Sequence, residues 1–226
     1  FRFDGQHYTG FAGDTLASAL LANDVRLVGR SFKYHRPRGI LTAGSEEPNA
    51  LVTIGDGAHQ DPNSRATTAQ LFDGMSAQSQ TKMGHLSFDL MAVNDFLSPL
   101  LGAGFYYKTF MWPAAFWEKI YEPIIRKAAG LGSLSGLADP DQYDKGYLHC
   151  DLLVIGSGPS GLMAALAAAK SGLQIILADE DFCLGGRLNA ERQEINGMES
   201  AAFAALCLAQ LAAMDNVRIL SKTTIF

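Results

Sequence analysis

The sequence of 226 residues predicts two domains of different class, an α+β domain followed by the beginning of an α/β domain with a parallel sheet. Three observations predict this division. Seven of the eight prolines precede residue 150, whereas all three cysteines (Cys150, Cys183 and Cys207) lie at or after it. The order of predicted elements differs before and after residue 150, and a glycine-rich turn follows shortly after that residue. We place the boundary between Leu131 and Leu148, in a stretch rich in Gly, Ser and Asp.

Composition excludes several classes of protein. The chain is 48% hydrophobic and 18% charged, which is typical of a globular protein with a sizeable core. A net charge of -5 disfavours nucleic-acid binding. Three cysteines are too few for a disulfide scaffold, and no apolar run approaches the roughly 20 residues of a membrane span. The first residues lack the apolar core of a signal peptide, so we expect a reduced, cytoplasmic protein.

The first domain is predicted over residues 1–95. Its predicted elements are, in order, a hairpin that turns at Asp4-Gly5, a helix over 13–23, and strands over 50–54 and 65–72. Asp14 is the predicted N-cap of the helix. The apolar face of that helix is predicted to contain Leu16, Leu20 and Leu21. Two strands, a helix and further strands are the order of a ferredoxin-like β-grasp fold.

Ferredoxin-like domains of the plant type hold an iron–sulfur cluster through four Cys thiolates. Residues 1–149 contain no cysteine, so we expect this domain to lack the cluster. The histidines in that range are scattered without the spacing of metal ligands. We therefore predict no metal site.

A run of positive charge lies between Arg26 and Arg38. It contains five basic residues and no acidic one: Arg26, Arg30, Lys33, Arg36 and Arg38. One interpretation is a loop that faces a phosphate group or an acidic partner. The other is a solvated surface whose arginines pair with Glu46 and Glu47, which are near in sequence. The sequence leaves both open.

Residues 96–149 are predicted to form an aromatic-rich helical connector. Eight of the 17 residues from Phe105 to Tyr121 are aromatic. Pro113 suits the first turn of a helix that runs toward Ala129. So much aromatic area indicates either an interface between domains or subunits, or ordinary core packing.

The most informative segment follows Asp151. The predicted elements are a buried parallel strand over 152–155, a helix from Pro159 to about Ser171, and a second strand over 174–178. The pattern Gly156-x-Gly158-x-x-Gly161 joins the first strand to the helix. A strand, the glycines, a helix and a second strand are together the context of a dinucleotide-binding loop.

Each glycine of this pattern has a physical role. Gly156 lets the chain turn sharply, Gly158 leaves room for a pyrophosphate, and Gly161 lets the helix lie close to the sheet. The helix N-terminus offers free N–H groups and about half a positive charge to the phosphates. The predicted loop residues are Gly156, Ser157, Gly158, Pro159, Ser160 and Gly161. The alternative is a glycine-rich turn that binds nothing.

An acidic residue at the end of the second strand is expected to accept hydrogen bonds from the ribose. Asp179 lies there, with Glu180 beside it. These acids disfavour a 2′-phosphate, so NADP is not expected. NAD and FAD share the ADP half, so the pattern does not separate them.

A second glycine pair follows at Gly185 and Gly186, where the backbone could approach the cofactor, and Arg187 could reach its phosphates. A simple turn is the alternative. A helix over 200–214 and a strand over 217–226 are predicted next. Because a Rossmann-like FAD/NAD(P)-binding domain needs further strands, residues 150–226 are interpreted as its first part and the chain as a fragment. No residue is predicted to be catalytic.

Four segments together resemble the α subunits of heterotetrameric sarcosine oxidases. They are GRSFKYHRPRG (29–39), AGSEEPNA (43–50), AGFYYKTFMWP (103–113) and GSGPSG (156–161). The resemblance covers essentially the whole chain. It implies a ferredoxin-like domain without a cluster, an NAD-binding flavoprotein-like domain, and a folate-binding half that is missing here. The glycines of the loop, Asp179 and the second glycine pair match the family's phosphate loop, ribose-binding acid and second pair.

The resemblance also implies an activity. The family oxidises the N-methyl group of sarcosine to give glycine, hydrogen peroxide and formaldehyde, or methylene-tetrahydrofolate when tetrahydrofolate is present. It implies NAD on this subunit, FAD and covalent FMN on the β subunit with FMN at the α/β contact, and tetrahydrofolate on the missing half. The expected partners are β, γ and δ subunits, with neither nucleic acid nor membrane. This fragment alone is expected to be inactive.

Three alternatives stay open. Related flavin-dependent amine or imino-acid dehydrogenase complexes share the same string of domains. A self-sufficient FAD-dependent dehydrogenase or amine oxidase would carry the same loop. In a non-catalytic module, the ferredoxin-like domain would serve assembly only.

Overall fold

The computed structural model describes residues 1–105, 110 and 112–226. The chain divides into two compact units, Phe1–Gln142 and Tyr143–Phe226. Among the described residues, no helix combines the length and the apolar character needed to cross a bilayer.

The first unit contains short strands and helices. Its described strands are β1 (Arg2–Phe3), β2 (Gln6–His7), β3 (Gly29–Arg30), β4 (Pro37–Arg38), β5 (Leu51–Ile54), β6 (Asp61–Arg65), β7 (Ser76–Ser79), β8 (Gly84–His85) and β9 (Phe88–Asp89). Its described α-helices are α1 (Leu16–Ala22), α2 (Val93–Phe96) and α3 (Glu122–Ala129). Turns of 3-10 helix cover Gly57–His59, Leu90–Ala92 and Ala114–Phe116, and a π-helical turn covers Trp117–Tyr121.

A mixed five-stranded sheet organises this unit. Its order is β2-β1-β7-β5-β6, and the pair β1 and β7 is parallel whereas the other pairs are antiparallel. The hairpin β1–β2 turns at Asp4 (φ 48°) and Gly5 (φ 83°), as predicted, because both positions need left-handed backbone. Buried residues of α1 pack with the strands in one core that contains Phe3, Leu16, Leu20, Val52 and Met75.

The start of α1 differs from the prediction. Thr15 is the N-cap, and its hydroxyl accepts from the Ser18 N–H at 3.0 Å while the Ser18 hydroxyl accepts from the Thr15 N–H. Asp14, the predicted cap, instead accepts from the Ser18 hydroxyl at 2.8 Å. Leu21 is 48% exposed, so its place on the apolar face was wrong. It follows Leu20 by about 100° around the helix, which turns it away from the core.

The predicted strand over 65–72 was also wrong. The strand β6 ends at Arg65, and the Ala69 N–H then donates to the Arg65 carbonyl at 3.0 Å, which turns the chain. The neighbouring strand β7 was missed because its residues, SAQS, have little β-propensity. Its pairing with β1 and β5 stabilises the strand despite this composition.

A buried carboxylate orders the segment before β5. Glu47 is 2% exposed and accepts from the N–H groups of Leu41 (2.7 Å), Thr42 (2.6 Å) and Asn49 (2.8 Å). Burial by itself raises the pKa of Glu47. The hydrogen bonds from Thr42, Asn49 and Leu41 outweigh burial, so the pKa lies below its usual value.

This lowered pKa predicts that stability depends on acid. A carboxylate with a lowered folded-state pKa stabilises the fold fully above its unfolded pKa of 4.5, and this contribution is lost as pH falls through the lower folded value. We expect Glu47→Gln to lose about 2 kcal/mol of unfolding free energy at pH 7 and to flatten the acid dependence. Thermal unfolding between neutral and acidic pH tests this, with the exposed neighbour Glu46→Gln as the control. An acid dependence in Glu47→Gln equal to that of the unsubstituted protein would contradict the assignment.

The described part of the predicted connector packs on the β-grasp sheet within the first unit. The His35 ring joins the two parts, since its Nδ1 lies 3.0 Å from Asp89 Oδ2 and its Nε2 lies 3.1 Å from the Ala128 carbonyl. The Gly132 N–H donates to the Asn63 side chain at 2.9 Å. Residues up to Gln142 therefore belong to the first compact unit.

The second unit is built on a parallel sheet. Its elements are β10 (Leu152–Ile155), α4 (Pro159–Lys170), β11 (Ile175–Ala178), a 3-10 turn (Gly186–Asn189), β12 (Glu194–Ile195), β13 (Met198–Glu199), α5 (Ser200–Ala212) and β14 (Val217–Leu220). The sheet order is β10-β11-β14, with every pair parallel, and β12 and β13 form a separate hairpin. Helices α4 and α5 share a core with the sheet through Leu162, Leu177, Ala204 and Leu211.

Two predictions for this unit were wrong. The strand predicted over 217–226 is shorter, because β14 ends at Leu220 and the Thr223 N–H then donates to the Asp179 carbonyl at 2.8 Å. Strand β10 was expected to be buried, but only Val154 is, and Ile155 is 64% exposed. Because β10 is an edge strand of the described sheet, it has a strand neighbour on one side only.

Candidate functional site

The glycine loop between β10 and α4 is shaped by the backbone. Gly156 has a φ of +92°, a left-handed conformation that favours glycine, and its N–H donates to the Ala178 carbonyl at 2.8 Å. A Cβ on Gly161 would lie 1.9 Å from the Gly156 carbonyl oxygen. The helix can approach the strand this closely only because residue 161 has no side chain.

Gly158 is different, because no contact with a described residue requires it to be glycine. Its φ is -64°, and a Cβ there would meet no described atom within 4 Å. The absence of a side chain therefore leaves open space beside the N-terminus of α4.

The N-terminus of α4 has N–H donors next to that space that bond to no described residue. The first intrahelical bond runs from the Leu162 N–H to the Gly158 carbonyl at 2.9 Å, so the N–H groups of Ser160 and Gly161 precede it. Gly158 provides no side-chain cap, Pro159 opens the helix, and its first turn contains no acid. These donors and the helix dipole suit an anion such as a pyrophosphate. The chemistry of the loop therefore fits a dinucleotide.

The two predicted ribose-binding acids lie in different environments. Asp179 is 9% exposed, and both of its carboxylate oxygens accept hydrogen bonds from the protein. The donors are Ser157 and Asp181. Glu180 is exposed and has no hydrogen bond or ion pair with the part of the chain that the structure describes.

The second glycine pair lies beside the first loop. Gly185 and Gly186 have φ values of +122° and +54°, and a Cβ on Gly186 would lie 3.0 Å from the Gly158 Cα. The backbones of the glycine loop and of the second glycine pair thus both border the open space at Gly158. The Arg187 side chain, predicted to reach the phosphates, pairs with Glu191 four residues later and is 75% exposed.

One contributor to the site was missed, Asn189, and one hydrogen bond of a predicted loop residue, Ser157, was not foreseen. The Asn189 side chain donates to the carbonyls of Leu184 (3.1 Å) and Cys183 (3.3 Å), which holds the second glycine turn. The Ser157 hydroxyl bonds to Asp179, although Ser157 was predicted only as a member of the loop. A polar residue between the first two glycines was the available signal for Ser157, whereas nothing in the sequence indicated Asn189.

The basic segment is largely occupied by bonds within the first unit. The partners are Asp24 for Arg26, the Leu86 and His35 carbonyls for Arg30, the Gly102 carbonyl for Lys33, and Asp95 for Arg36. The interpretation in which these arginines pair with Glu46 and Glu47 is thus not supported by the ion pairs of the described residues. Glu47 is engaged by backbone N–H groups, so it has little capacity left for an arginine.

The aromatic stretch packs locally in its described part. The rings of Phe110 and Tyr121 have centroids 5.1 Å apart, whereas Trp112 is 83% exposed. Tyr106 and Tyr107 lie outside the described residues. Within the described ranges, no group of three His, Cys, Asp or Glu side chains is arranged to hold a metal ion.

Comparison with protein families gives two matches. Residues 1–82 match a family described as a 2Fe-2S iron-sulfur cluster binding domain. Residues 151–214 match the FAD dependent oxidoreductase family. The second match contains the glycine loop and the second glycine pair.

Among solved structures, L-proline dehydrogenase from P. horikoshii matches 97% of this chain and 32% of its own, with a TM-score of 0.53. The sequence identity of 20% supports a shared fold alone.

Sequence similarity to curated proteins extends over the whole chain. The chain is 58% identical over 226 residues to the sarcosine oxidase subunit alpha of Rhizobium meliloti (strain 1021) and covers 23% of that protein. It is 35% identical over 227 aligned residues to the corresponding subunit of Corynebacterium sp. (strain U-96), of which it covers 18%. The chain thus spans about a fifth to a quarter of the length of these relatives. The similarity to sarcosine oxidase α subunits extends over 98% to 100% of its residues.

Proposed function

We propose that the loop over 156–161 binds the pyrophosphate of NAD in the α subunit of a heterotetrameric sarcosine oxidase. The observation that carries the proposal is the open space at Gly158 beside the N–H groups of Ser160 and Gly161, which bond to no residue that the structure describes. Gly185 and Gly186 allow the backbone to approach the same ligand. One of the two acids at the end of β11 accepts from the ribose and disfavours a 2′-phosphate.

The residues of this chain would bind and orient the dinucleotide. Backbone donors at the loop neutralise the phosphates, and the glycines keep side chains out of the space. When bound, NAD supplies a nicotinamide that can exchange a hydride. No side chain of this chain is proposed to react.

The activity of the whole protein is proposed from its relatives. We propose that the complex demethylates sarcosine oxidatively to glycine, with formaldehyde or methylene-tetrahydrofolate and hydrogen peroxide as the other products. FAD and FMN would lie on the β subunit, with FMN at the α/β contact, and tetrahydrofolate would bind another part of α. The partners would be β, γ and δ subunits in the cytoplasm. The 58% identity to a sarcosine oxidase α subunit supports this assignment.

The first domain is proposed to lack an iron–sulfur cluster. The family that residues 1–82 match is described as binding a 2Fe-2S cluster, yet these residues contain no cysteine. A plant-type cluster needs four thiolates. We therefore propose a structural role for a β-grasp domain over residues 1–95, followed by a connector over 96–149 and the start of the nucleotide-binding domain over 150–226.

A second candidate is FAD at the same loop. It is favoured by the match of residues 151–214 to a family of FAD dependent oxidoreductases. FAD carries the same ADP half and would use the same loop donors. The subunit would then be of the kind found in a related flavin-dependent amine or imino-acid dehydrogenase.

The cofactor content of the purified full-length complex tests these proposals. We expect about one NAD per α subunit after denaturation and chromatography, and an α subunit that is colourless when separated from its partners. A yellow α subunit with FAD and no NAD would support the second candidate and contradict the first. Peroxide formation with sarcosine, compared with proline and dimethylglycine, tests the substrate.

A further inference from the structure

The Asp179 carboxylate accepts hydrogen bonds from other groups of the protein. Its Oδ2 accepts two hydrogen bonds from Ser157, one from the backbone N–H at 2.5 Å and one from the hydroxyl at 2.6 Å. Its Oδ1 accepts from the Asp181 N–H at 2.9 Å. These three contacts are all with donors of the protein, and the residue is only 9% exposed.

Ser157 connects this carboxylate to the second glycine pair. The residue is fully buried. Its hydroxyl donates to Asp179 and accepts from the Gly185 N–H at 2.9 Å. The two hydrogen bonds thus link the glycine loop to the second glycine pair. They hold Gly186 close to Gly158, beside the space proposed for the pyrophosphate.

Glu180 has the opposite character. It follows Asp179 directly, its side chain is exposed, and among the described residues it has no bonded partner. An exposed carboxylate at the carboxyl end of β11 has its lone pairs available for the hydroxyl groups of a ribose.

We propose that Asp179 is a positioning residue, which holds the glycine loop through Ser157, and that Glu180 accepts the hydrogen bonds of the adenosine ribose. The inference rests on the proposed function, because it divides the roles within one nucleotide site. A carboxylate suits the positioning role, since the three groups that reach Asp179 are all donors. An amide in its place would turn its own N–H groups toward one of them.

The test uses the full-length protein with two probes, NAD and NAD that lacks the 2′-hydroxyl of the adenosine ribose. The unsubstituted protein is expected to prefer NAD by about tenfold, because the analogue loses a hydrogen bond to a charged acceptor. Glu180→Ala is expected to abolish this preference. Asp179→Asn and Ser157→Ala are each expected to lower the affinity for both probes about fivefold and to keep the preference for NAD. The double variant should bind no more weakly than Asp179→Asn alone, because both changes break one network.

Three outcomes would overturn the inference. A preference that survives in Glu180→Ala excludes Glu180 as the ribose acceptor. A preference that disappears in Asp179→Asn returns that role to Asp179. If Asp179→Asn does not fold, Ser157→Ala decides the positioning role, because an unchanged affinity for NAD in that variant refutes it. Absence of NAD binding in the unsubstituted protein would refute the proposed function itself. Tight NAD binding with a preference that is lost in Asp179→Asn and kept in Glu180→Ala would refute only this division of roles.

Discussion

Gly158→Ala is expected to weaken NAD binding at least about tenfold and to leave the stability of the protein unchanged. An alanine is compatible with the φ of -64° at this position, and its Cβ would touch no protein atom within 4 Å. The added methyl group would instead occupy the space that a pyrophosphate needs to reach the helix N-terminus. Titration of the full-length protein with NAD measures the affinity, and thermal unfolding measures the stability.

The matched control for this variant is Gly146→Ala. Gly146 is in the same compact unit, has no positive φ, and a Cβ there would likewise meet nothing within 4 Å. It lies outside the loop, so its substitution should change neither affinity nor stability. Equal NAD affinity in Gly158→Ala and the unsubstituted protein would show that the ligand does not lie against residue 158.

Gly161→Ala is expected to have the opposite effect, a loss of about 3 kcal/mol or more in the unfolding free energy. Its Cβ would lie 1.9 Å from the Gly156 carbonyl oxygen and 3.5 Å from the Val154 side chain. The first of these atoms is backbone, so no change of side-chain conformation can relieve the overlap. Either α4 moves away from the sheet or the loop changes its path.

Denaturant unfolding followed by helical ellipticity measures this loss. Gly158→Ala serves as the control, since it makes the same substitution in the same loop without an overlap. A stability within about 0.5 kcal/mol of the unsubstituted protein would contradict the close approach of strand and helix. Together the two variants separate the glycine that the ligand needs from the glycine that the fold needs.

The fold of the second compact unit could be predicted well from the sequence, because its signals are local. The order of β10, glycine loop, α4 and β11 follows directly from an apolar run, three spaced glycines and an alanine-rich helix. The hairpin at Asp4-Gly5 is equally local, since both turn residues tolerate left-handed backbone. In each case a few adjacent residues determine the conformation.

The remaining features depend on contacts between distant residues. Strand β7 has a weak strand sequence, and it is ordered by pairing with β1, some 74 residues away in the chain. One donor to Asp179 is Ser157, 22 residues earlier, so a pattern that places an acid at a strand end does not reveal that its carboxylate accepts hydrogen bonds from the protein. Asn189 supports the second glycine turn through carbonyl groups that carry no sequence signal.

The most direct test of the account is a structure of the intact full-length complex in the presence of NAD. We expect the pyrophosphate beside Gly158, with phosphate oxygens about 3 Å from the N–H groups of Ser160 and Gly161. Density for protein or solvent alone in that space, with the nucleotide absent or bound elsewhere, would contradict the account.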